Sequence, residues 1–173
     1  MVECGGMGAV KKTPSKAKKP TTNRDAEAQL AGFLAKYDPE IEALAREARK
    51  RMQARLPGAT ELVYDNYNGL AIGYGPSQRA SEAIFSIALY PRWVSLFFLQ
   101  AKRLRDGSDL LQGSGKVARH IVLQSGADIE QPAVEDLIAQ ALELAKVPLD
   151  LSSPRQLVIK SVSAKQRPRR PTK

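Results

Sequence analysis

Apolar residues recur with two different periods along this chain. They return every three or four residues between Ala26 and Tyr37, and again between Ile41 and Met52, which predicts two amphipathic helices. Asn23 is expected to cap the first helix, because its side chain can accept a hydrogen bond from a free backbone amide. The folded part of the chain is therefore expected to begin with two helices.

From Glu61 onward the pattern changes to short runs that alternate or are apolar throughout, which is typical of strands. A third helical stripe begins near Pro132, and a last edge strand is expected over 155–162. Turns separate the runs, and Asn68-Gly69 suits the positive φ angles of a tight hairpin. The main runs span 61–67, 70–75, 84–90, 93–99 and 118–124.

Strands that follow one another through short connections, bracketed by helices, predict an α+β fold. We expect an antiparallel sheet of about five strands flanked by helices, because parallel βαβ units would need strands and helices to alternate. The runs 84–90 and 93–99 are apolar on both faces, so they are expected to be central strands with cover on each side.

Charge is unevenly distributed along the 173 residues, whose net charge is +9. Five lysines lie in residues 1–22 and six cationic residues lie in 160–173, which leaves residues 23–159 nearly neutral. Segments with so few large apolar groups cannot offset the entropy of ordering. We therefore predict an α+β domain over 23–159 between two disordered basic tails, 1–22 and 160–173.

The two tails are a candidate interaction surface. Flexible arms rich in lysine and arginine attract phosphate backbones without reading sequence, so non-specific nucleic-acid binding is one interpretation. Neither tail contains an aromatic residue, so stacking on bases is not expected there. Tails that only improve solubility are an equally good interpretation.

The segment LLQGSGKVARHIVL, residues 110–123, resembles the end of a phosphate-binding loop. A Walker-type loop needs a glycine separated by four residues from its Gly-Lys pair, a hydroxyl residue after the lysine, and a following helix. Here the glycine position is Leu110, Val117 follows Lys116, and a strand is expected next. We interpret the segment as a turn between strands, in which Lys116 and Arg119 are candidates to hold an anion.

His120 and Cys4 are the only histidine and cysteine, which excludes an intrachain disulfide and a zinc site built from nitrogen and sulfur ligands. His120 is expected to share a strand face with Val122, and a hydrogen-bonded strand histidine is favoured over a general base. Because the N-terminus lacks a secretory pattern and no apolar run is long enough to span a bilayer, we expect a cytoplasmic protein without membrane contact.

Acidic residues collect near the starts of two predicted helices, where their oxygens could bind a hard cation. Carboxylates in a first helical turn also complement the helix dipole, and we favour that interpretation. The two groups are Asp38, Glu40, Glu42 and Glu47, and Asp128, Glu130, Glu135 and Asp136.

Aromatic and polar residues gather on the first predicted hairpin and at the start of the fourth predicted strand. They could line a small pocket, or they could be ordinary packing of tyrosines. A pocket between Tyr64, Trp93 and Arg119 would favour the first interpretation. We name six candidate ligand-binding residues and neither a catalytic residue nor a metal ligand: Tyr64, Asn66, Trp93, Lys116, Arg119 and His120.

Three segments, NYNGLAIGYGP, SIALYPRWVSLFFL and LLQGSGKVARHIVL, followed by a helix, resemble the YdhG-like family of bacterial domains of unknown function. The resemblance covers roughly residues 40–146. It implies a small α+β fold with an antiparallel sheet and flanking helices, with no accepted reaction and no agreed catalytic residues. Some relatives have been proposed as frataxin-like intracellular iron chaperones, but no iron ligand is transferred to this chain.

The first hypothesis is a non-enzymatic cytoplasmic domain that binds a small ligand or a partner protein, with the ligand and any cofactor unknown. One alternative is a frataxin-like iron-binding chaperone that uses surface carboxylates, and another is a nucleic-acid-associated protein that binds through its tails. An enzyme ranks last, because no motif supplies both a nucleophile or base and an orienting partner. A homodimer would be one way to cover the apolar strands.

Overall fold

The computed structural model describes residues 22–172. Within them, three α-helices and six strands form an α+β fold, which confirms the expected class. The basic tail predicted over 1–22 lies, apart from Thr22, outside the described residues. The helices are α1 (Asn23–Leu34), α2 (Pro39–Arg55) and α3 (Pro132–Glu143), and the strands are β1 (Thr60–Asp65), β2 (Leu70–Gly75), β3 (Phe85–Leu89), β4 (Val94–Phe98), β5 (Arg119–Leu123) and β6 (Gln156–Val162).

The strands form one open sheet in the order β5-β4-β3-β2-β1-β6. Strands β1 to β5 make an antiparallel meander, and β6 returns to lie parallel to β1 at the edge. The sheet has six strands where about five were expected, and the run predicted as a last edge strand over 155–162 is the sixth and the one parallel strand. No helix among the described residues is long and apolar enough to cross a bilayer.

One face of the sheet and all three helices share a single hydrophobic core. Alternate strand residues point into it, so Val63, Ile72, Ile87 and Leu96 form a buried row across β1 to β4. Met52 of α2 is buried in the same core. Burial of each such side chain contributes about 1.5–3 kcal/mol to the free energy of folding. The apolar row therefore determines which face of the sheet packs against the helices.

The opposite face of the sheet, here called the outer face, has none of the three α-helices packed on it. The expected burial of β3 and β4 on both sides is present, since β3 is buried throughout and β4 nearly so, but α-helices cover only one of the two sides. The centre of the outer face carries the small residues Ser86, Ala88 and Ser95, which are buried without a helical layer. Small side chains can be shielded by their larger neighbours on the sheet, and an apolar run does not reveal this.

Thr22, and not Asn23, caps α1. The Thr22 hydroxyl accepts a hydrogen bond from the Asp25 amide, and the Asp25 carboxylate accepts one from the Thr22 amide, which makes a capping box. The Asn23 side chain instead donates to the Arg155 carbonyl and accepts from the Leu157 amide, each at 3.2 Å. Contacts with a strand distant in sequence therefore decide which side chain caps the helix.

The β1–β2 turn requires Gly69 for a different reason from the one expected. Gly113 is the only glycine with a positive φ among the described residues, so Asn68-Gly69 does not use left-handed angles. A Cβ on Gly69 would lie 2.4 Å from the carbonyl oxygen of Leu89. The close approach of two backbone segments makes glycine necessary at this position.

Strand β1 carries a fully buried carboxylate, Glu61, on the helix side of the sheet. Arg49 of α2 donates to its two oxygens at 3.0 and 2.8 Å. The same guanidinium donates to Glu27 of α1 at 2.8 and 2.7 Å, so it links both helices to the sheet. Burial alone would lower the pKa of Arg49, but its hydrogen bonds to Glu27 and Glu61 outweigh burial and raise that pKa.

The second basic tail, predicted to be disordered over 160–173, has a defined place in the structure as far as residue 172. Strand β6 continues to Val162, and residues 163–172, here called the C-terminal arm, pack across one end of the sheet. Strand β6 thus extends two residues past the predicted boundary at residue 160. Composition could not show that Asp65, a buried carboxylate, binds an arginine of the arm.

Candidate ligand-binding cleft

Two strand turns and the C-terminal arm lie together at one end of the sheet, here called the turn end. Leu70 pairs with Asp65 on one side and with Leu89 on the other, so the turns at 66–69 and 90–93 lie side by side. Residues of the arm are hydrogen-bonded to the first of these turns. The turn end therefore combines side chains that are far apart in sequence.

Buried Asp65 holds the C-terminal arm on the turn end. Its carboxylate accepts hydrogen bonds from Arg169 and Gln166 of the arm, each at 2.7 Å. Lys36 donates to the same carboxylate at 3.0 Å from the end of α1. The Arg169 side chain is 4% exposed, and it also donates to the Tyr67 carbonyl at 3.3 Å. A desolvated ion pair with several further hydrogen bonds thus sets the position of the arm.

Tyr37, between α1 and α2, lies under the arm and is almost completely buried. Its hydroxyl donates to the Leu89 carbonyl at 3.2 Å and accepts from the Leu70 amide at 3.0 Å. The Arg169 guanidinium lies 5.9 Å from the centre of its ring. Burial raises the pKa of Tyr37 from 10 to about 12.

Because the folded state binds the Tyr37 proton more tightly than the unfolded chain, its contribution to stability is complete below pH 10 and is lost as the pH rises through about 12. This loss amounts to about 3 kcal/mol. Tyr37→Phe should reduce the alkaline loss of stability, although Tyr74, whose pKa is also raised by burial, keeps part of it. Urea unfolding from neutral to strongly alkaline pH measures this, and equal losses in the variant and the wild type would contradict it.

An open cleft of about 610 Å³ lies between the β3–β4 turn and the C-terminal arm. The rings of Tyr90 and Trp93 line it, with centroids 5.0 Å apart and planes inclined by 31°. Trp93 is 44% exposed, so a face of its indole remains open to a ligand. Arg92 of the turn and Arg167 and Arg170 of the arm also line the cleft.

The arginines give the cleft a positive charge. Arg92 and Arg167 form no ion pair with a carboxylate among residues 22–172, and both are exposed. Arg170 lies 3.6 Å from Asp38 in an exposed pair, which contributes little attraction in water. The Arg167 guanidinium lies 5.5 Å from the centre of the Tyr67 ring. An anion in the cleft would therefore meet Arg92 and Arg167, which form no ion pair within residues 22–172, and Arg170, whose ion pair is exposed.

A smaller hollow of about 230 Å³ adjoins the cleft, and Asn68 and Tyr90 line both. Asn66 and two alanines of the outer face, Ala71 and Ala88, complete its lining together with nearby backbone. Asparagine side chains both donate and accept hydrogen bonds, so they suit the polar edge of a planar ring. The two hollows together offer aromatic faces, amides and guanidinium groups in continuous space.

Two of the predicted ligand-binding residues lie at this site. Trp93 lines the cleft, and Asn66 lines the adjoining hollow. Tyr64 lies farther along β1 on the outer face, where it lines a separate apolar hollow of about 190 Å³. Burial raises the pKa of the Tyr64 phenol. The structure therefore does not bring Tyr64 into the cleft.

The other three predicted residues, Lys116, Arg119 and His120, lie at the opposite end of the sheet. Phe98, at the far end of β4, pairs with Arg119, whereas Trp93 precedes the first residue of β4. Five residues of strand separate these positions, which is about 16 Å. A single pocket between Tyr64, Trp93 and Arg119 is therefore not formed.

The glycine-lysine segment is a turn between strands, as predicted, because β5 begins three residues after Lys116 and no helix follows it. Gly113 has φ 100°, which favours glycine. Arg119, a predicted anion ligand, donates to the carbonyls of Gln112 and Leu111 at 3.2 and 2.9 Å. Its guanidinium thus stabilises the turn, and Lys116 is the cation that remains exposed there.

His120 stacks on Phe97 of β4, with ring centroids 4.9 Å apart and planes inclined by 27°. It lies on the outer face with Val122, as the strand alternation predicts. Its side chain forms no hydrogen bond within residues 22–172, so the expected hydrogen-bonded histidine is instead a stacked one. The neighbouring ring on β4 could not be identified without the strand register.

Most of the carboxylates at the helix starts have partners within the protein. Glu42 pairs with Arg46 at 2.7 Å, and Glu47 pairs with Arg51 at 2.8 Å. Asp128 accepts hydrogen bonds from two backbone amides at 2.7 and 3.0 Å. In the described part of the chain, no three His, Cys, Asp or Glu side chains come close enough together to hold a metal ion. These contacts favour a structural role for the acidic groups.

Tyr90, Arg167 and Arg170 line the cleft but were not among the predicted ligand-binding residues. Tyr90 and Trp93 flank the Pro91-Arg92 turn, and two aromatic residues on either side of a tight turn could have indicated a stacked pair. The two arginines gave no such signal, because the position of the arm depends on a hydrogen bond to a carboxylate 104 residues earlier in the chain.

The fold and the cleft define the class of this protein as an α+β domain with an open, aromatic and positively charged cleft at one end of its sheet. In comparisons with known proteins, no family model, no curated protein and no solved structure matches the chain. The chemistry of the cleft is therefore the basis for assigning a function.

Proposed function

We propose that this protein is a non-enzymatic binding module for a nucleotide unit, meaning an aromatic base joined to a phosphate. The observation that carries the proposal is the exposed Trp93 in the same cleft as Arg167 and Arg170. Indole faces stack on bases, and guanidinium groups match the oxygens of a phosphate in bidentate geometry. A volume of about 610 Å³ suits such a ligand, since small-molecule pockets span about 300–1,000 Å³.

The lining of the cleft supports binding without catalysis. Its side chains are aromatic rings, guanidinium groups, prolines, one amide and the hydroxyl of Thr172. These groups can stack on, orient and neutralise a ligand, but the lining includes no histidine or carboxylate to serve as a general base. The proposal also revises the tail hypothesis, since the arm would bind beside aromatic side chains that other elements supply.

We further propose a cytoplasmic location and membership of the YdhG-like family. The α+β class agrees with what that resemblance implies, and the single cysteine supports a compartment where disulfides are not needed. The resemblance implies no ligand, so the assignment of a nucleotide unit rests on the cleft alone.

The single tryptophan of the chain makes the cleft directly measurable. Titration with AMP should quench Trp93 fluorescence saturably, whereas adenosine and inorganic phosphate should each bind much more weakly, because each lacks half of the recognised unit. Arg167→Gln should weaken AMP binding roughly tenfold, since a charge-assisted hydrogen bond is lost. Calorimetry should show that Trp93→Ala also weakens binding roughly tenfold through lost stacking.

Arg24→Gln is the matched control, because Arg24 is an exposed arginine in the first turn of α1. It should bind AMP as the wild type does. The proposal is overturned if none of the four nucleoside monophosphates binds saturably, or if Arg167→Gln and Arg24→Gln have the same affinity for AMP.

A further inference from the structure

The outer face extends from the cleft to the opposite end of the sheet without a charged side chain across its centre. Strand register places Ala71, Ala88 and Ser95 in one row of this face, and Gly73, Ser86 and Phe97 in the next. The hollow that adjoins the cleft is lined by Ala71 and Ala88, so it connects the cleft with this face. A ligand that leaves the cleft along β4 would therefore pass over small, buried side chains and then reach the partly exposed ring of Phe97.

A second aromatic pair lies on this surface. Phe97 and His120 stack at 4.9 Å, and both are partly exposed. Phe97 follows Trp93 by four residues on the same strand face, a separation of about 13 Å. Gly113 lies beside the His120 ring, because a Cβ on Gly113 would be 3.4 Å from Nδ1. The loop that contains Lys116 therefore passes next to the second aromatic pair.

The far end of the sheet carries a basic patch, defined as Lys102, Arg103, Lys116 and Lys146. A hydrogen bond of 2.7 Å from the Ala101 amide to the Val117 carbonyl joins the two loops that supply most of it. All four cations are exposed, and none forms an ion pair within residues 22–172. Two hollows of about 570 and 470 Å³ share Lys102 in their linings.

Acidic residues offset this charge only in part. Asp106 and Asp109 line the larger hollow, and the Asp106 carboxylate already accepts a hydrogen bond from the Leu111 amide at 2.7 Å. The smaller hollow is lined by Lys102, Arg103 and Lys146 without a carboxylate. The patch as a whole therefore remains cationic.

We propose that a single-stranded nucleic acid lies along the outer face, from the arginine cleft over Phe97 and His120 to the basic patch; this rests on the proposed function. Cations at both ends complement a strand with a phosphate at every residue, and the exposed rings between them offer stacking surfaces. The strand that runs from Trp93 to Phe98, between the cleft and the loops that carry the patch, is about 16 Å long, a length of roughly five stacked nucleotides. A duplex would keep its bases paired and unable to reach the rings.

The length of the ligand tests this path. Thymidine monophosphate should occupy only the cleft. An oligothymidylate of eight nucleotides reaches the basic patch as well and should bind at least tenfold more tightly than the monophosphate. An oligothymidylate of three nucleotides is too short to reach the patch and should not show this gain. The triple variant Lys102→Gln, Lys116→Gln and Lys146→Gln should weaken binding of the eight-nucleotide strand and leave the mononucleotide unaffected. Its slope of log K against log salt should fall by about 2, because three phosphate contacts are lost.

Two further variants test the aromatic surface without unfolding it. Phe97→Leu keeps an apolar side chain in the sheet but removes the aromatic face, so it should weaken binding of the eight-nucleotide strand roughly tenfold. Phe97→Tyr keeps the face and should bind as the wild type does. Lys50→Gln, an exposed position on α2, is the control for the loss of lysine charge.

The path along the outer face is overturned if the mononucleotide binds but the eight-nucleotide strand binds no more tightly, or if the triple variant keeps the wild-type salt slope. Failure of every nucleotide to bind would instead overturn the proposed function itself. Analytical sedimentation tests whether a second copy of the chain covers the outer face instead. A wild-type dimer that Phe97→Leu converts to a monomer, without any change in nucleic-acid binding, would assign the outer face to that second copy.

Discussion

Replacing Arg49 with alanine should lower the free energy of unfolding by about 3–5 kcal/mol, because it leaves Glu61 buried without a counter-charge. The Glu61 side chain is 1% exposed and lies in the middle of the structure, between a strand and α2, so it cannot turn towards water. Gln53 would remain as its neutral hydrogen-bond donor, at 3.2 and 3.3 Å. Urea unfolding at neutral pH, followed by circular dichroism, measures the loss.

Arg46→Ala is the matched control, because Arg46 is on the same helix and its pair with Glu42 is exposed. Arg46→Ala should lower the free energy of unfolding by at most about 0.5 kcal/mol. The double variant Arg49→Met and Glu61→Leu should recover most of the stability, since neither buried charge remains. If Arg49→Ala unfolds at the same urea concentration as Arg46→Ala, the guanidinium does not stabilise the buried carboxylate.

Asp65→Asn should release the C-terminal arm while the core stays folded. Arg169 then keeps a desolvated charge without its carboxylate, but the arm can leave the turn end and expose that charge to water. We expect the fraction of molecules with a free arm to rise roughly a hundredfold, with trypsin cleavage after Lys165 and Arg169 increasing in proportion. Prolines follow Arg167 and Arg170, so cleavage at those two bonds stays slow.

Asp38→Asn separates this effect from a general loss of surface charge. Asp38 also faces an arginine of the arm, Arg170, but at 3.6 Å in an exposed pair. Its substitution should leave the cleavage rate nearly unchanged. Mass spectrometry identifies the cut bonds, and circular dichroism shows whether the core is intact. An arm that resists trypsin equally in both variants would show that Asp65 does not hold it.

Much of the fold could be predicted from the sequence, because hydrophobic periodicity is a local property. The stripe between Ala26 and Tyr37 and the alternation after Glu61 correctly indicated helix and strand, and Pro132 correctly began α3. Even the weakly patterned run over 155–162 was identified as an edge strand. Each of these expectations depends only on neighbouring residues.

Errors arose where a distant contact decided the outcome. Asn23 has the right side chain for a cap, but the Arg155 and Leu157 backbone uses it instead. The arm has the composition of a disordered tail, but Asp65 binds it. Such contacts depend on strand order, which hydrophobic periodicity does not provide.

The candidate site was predicted only in part for the same reason. Trp93 and Asn66 were named from local composition, and both lie at the cleft or its adjoining hollow. Lys116 and Arg119 were grouped with them because glycine, lysine and arginine suggested an anion site. The register of β4 on β5 places that segment at the other end of the sheet.

The position of β6 also bears on the order of folding. Strands β1 to β5 pair only with sequence neighbours, whereas β6 must close a long loop before it can pair with β1. Loop closure has an entropic cost that local hairpins avoid, so the meander is expected to form in the folding transition state before the last strand docks. The tryptophan side of the cleft would then exist before its arginine side, and a folding intermediate without docked β6 would be unable to retain an anion there.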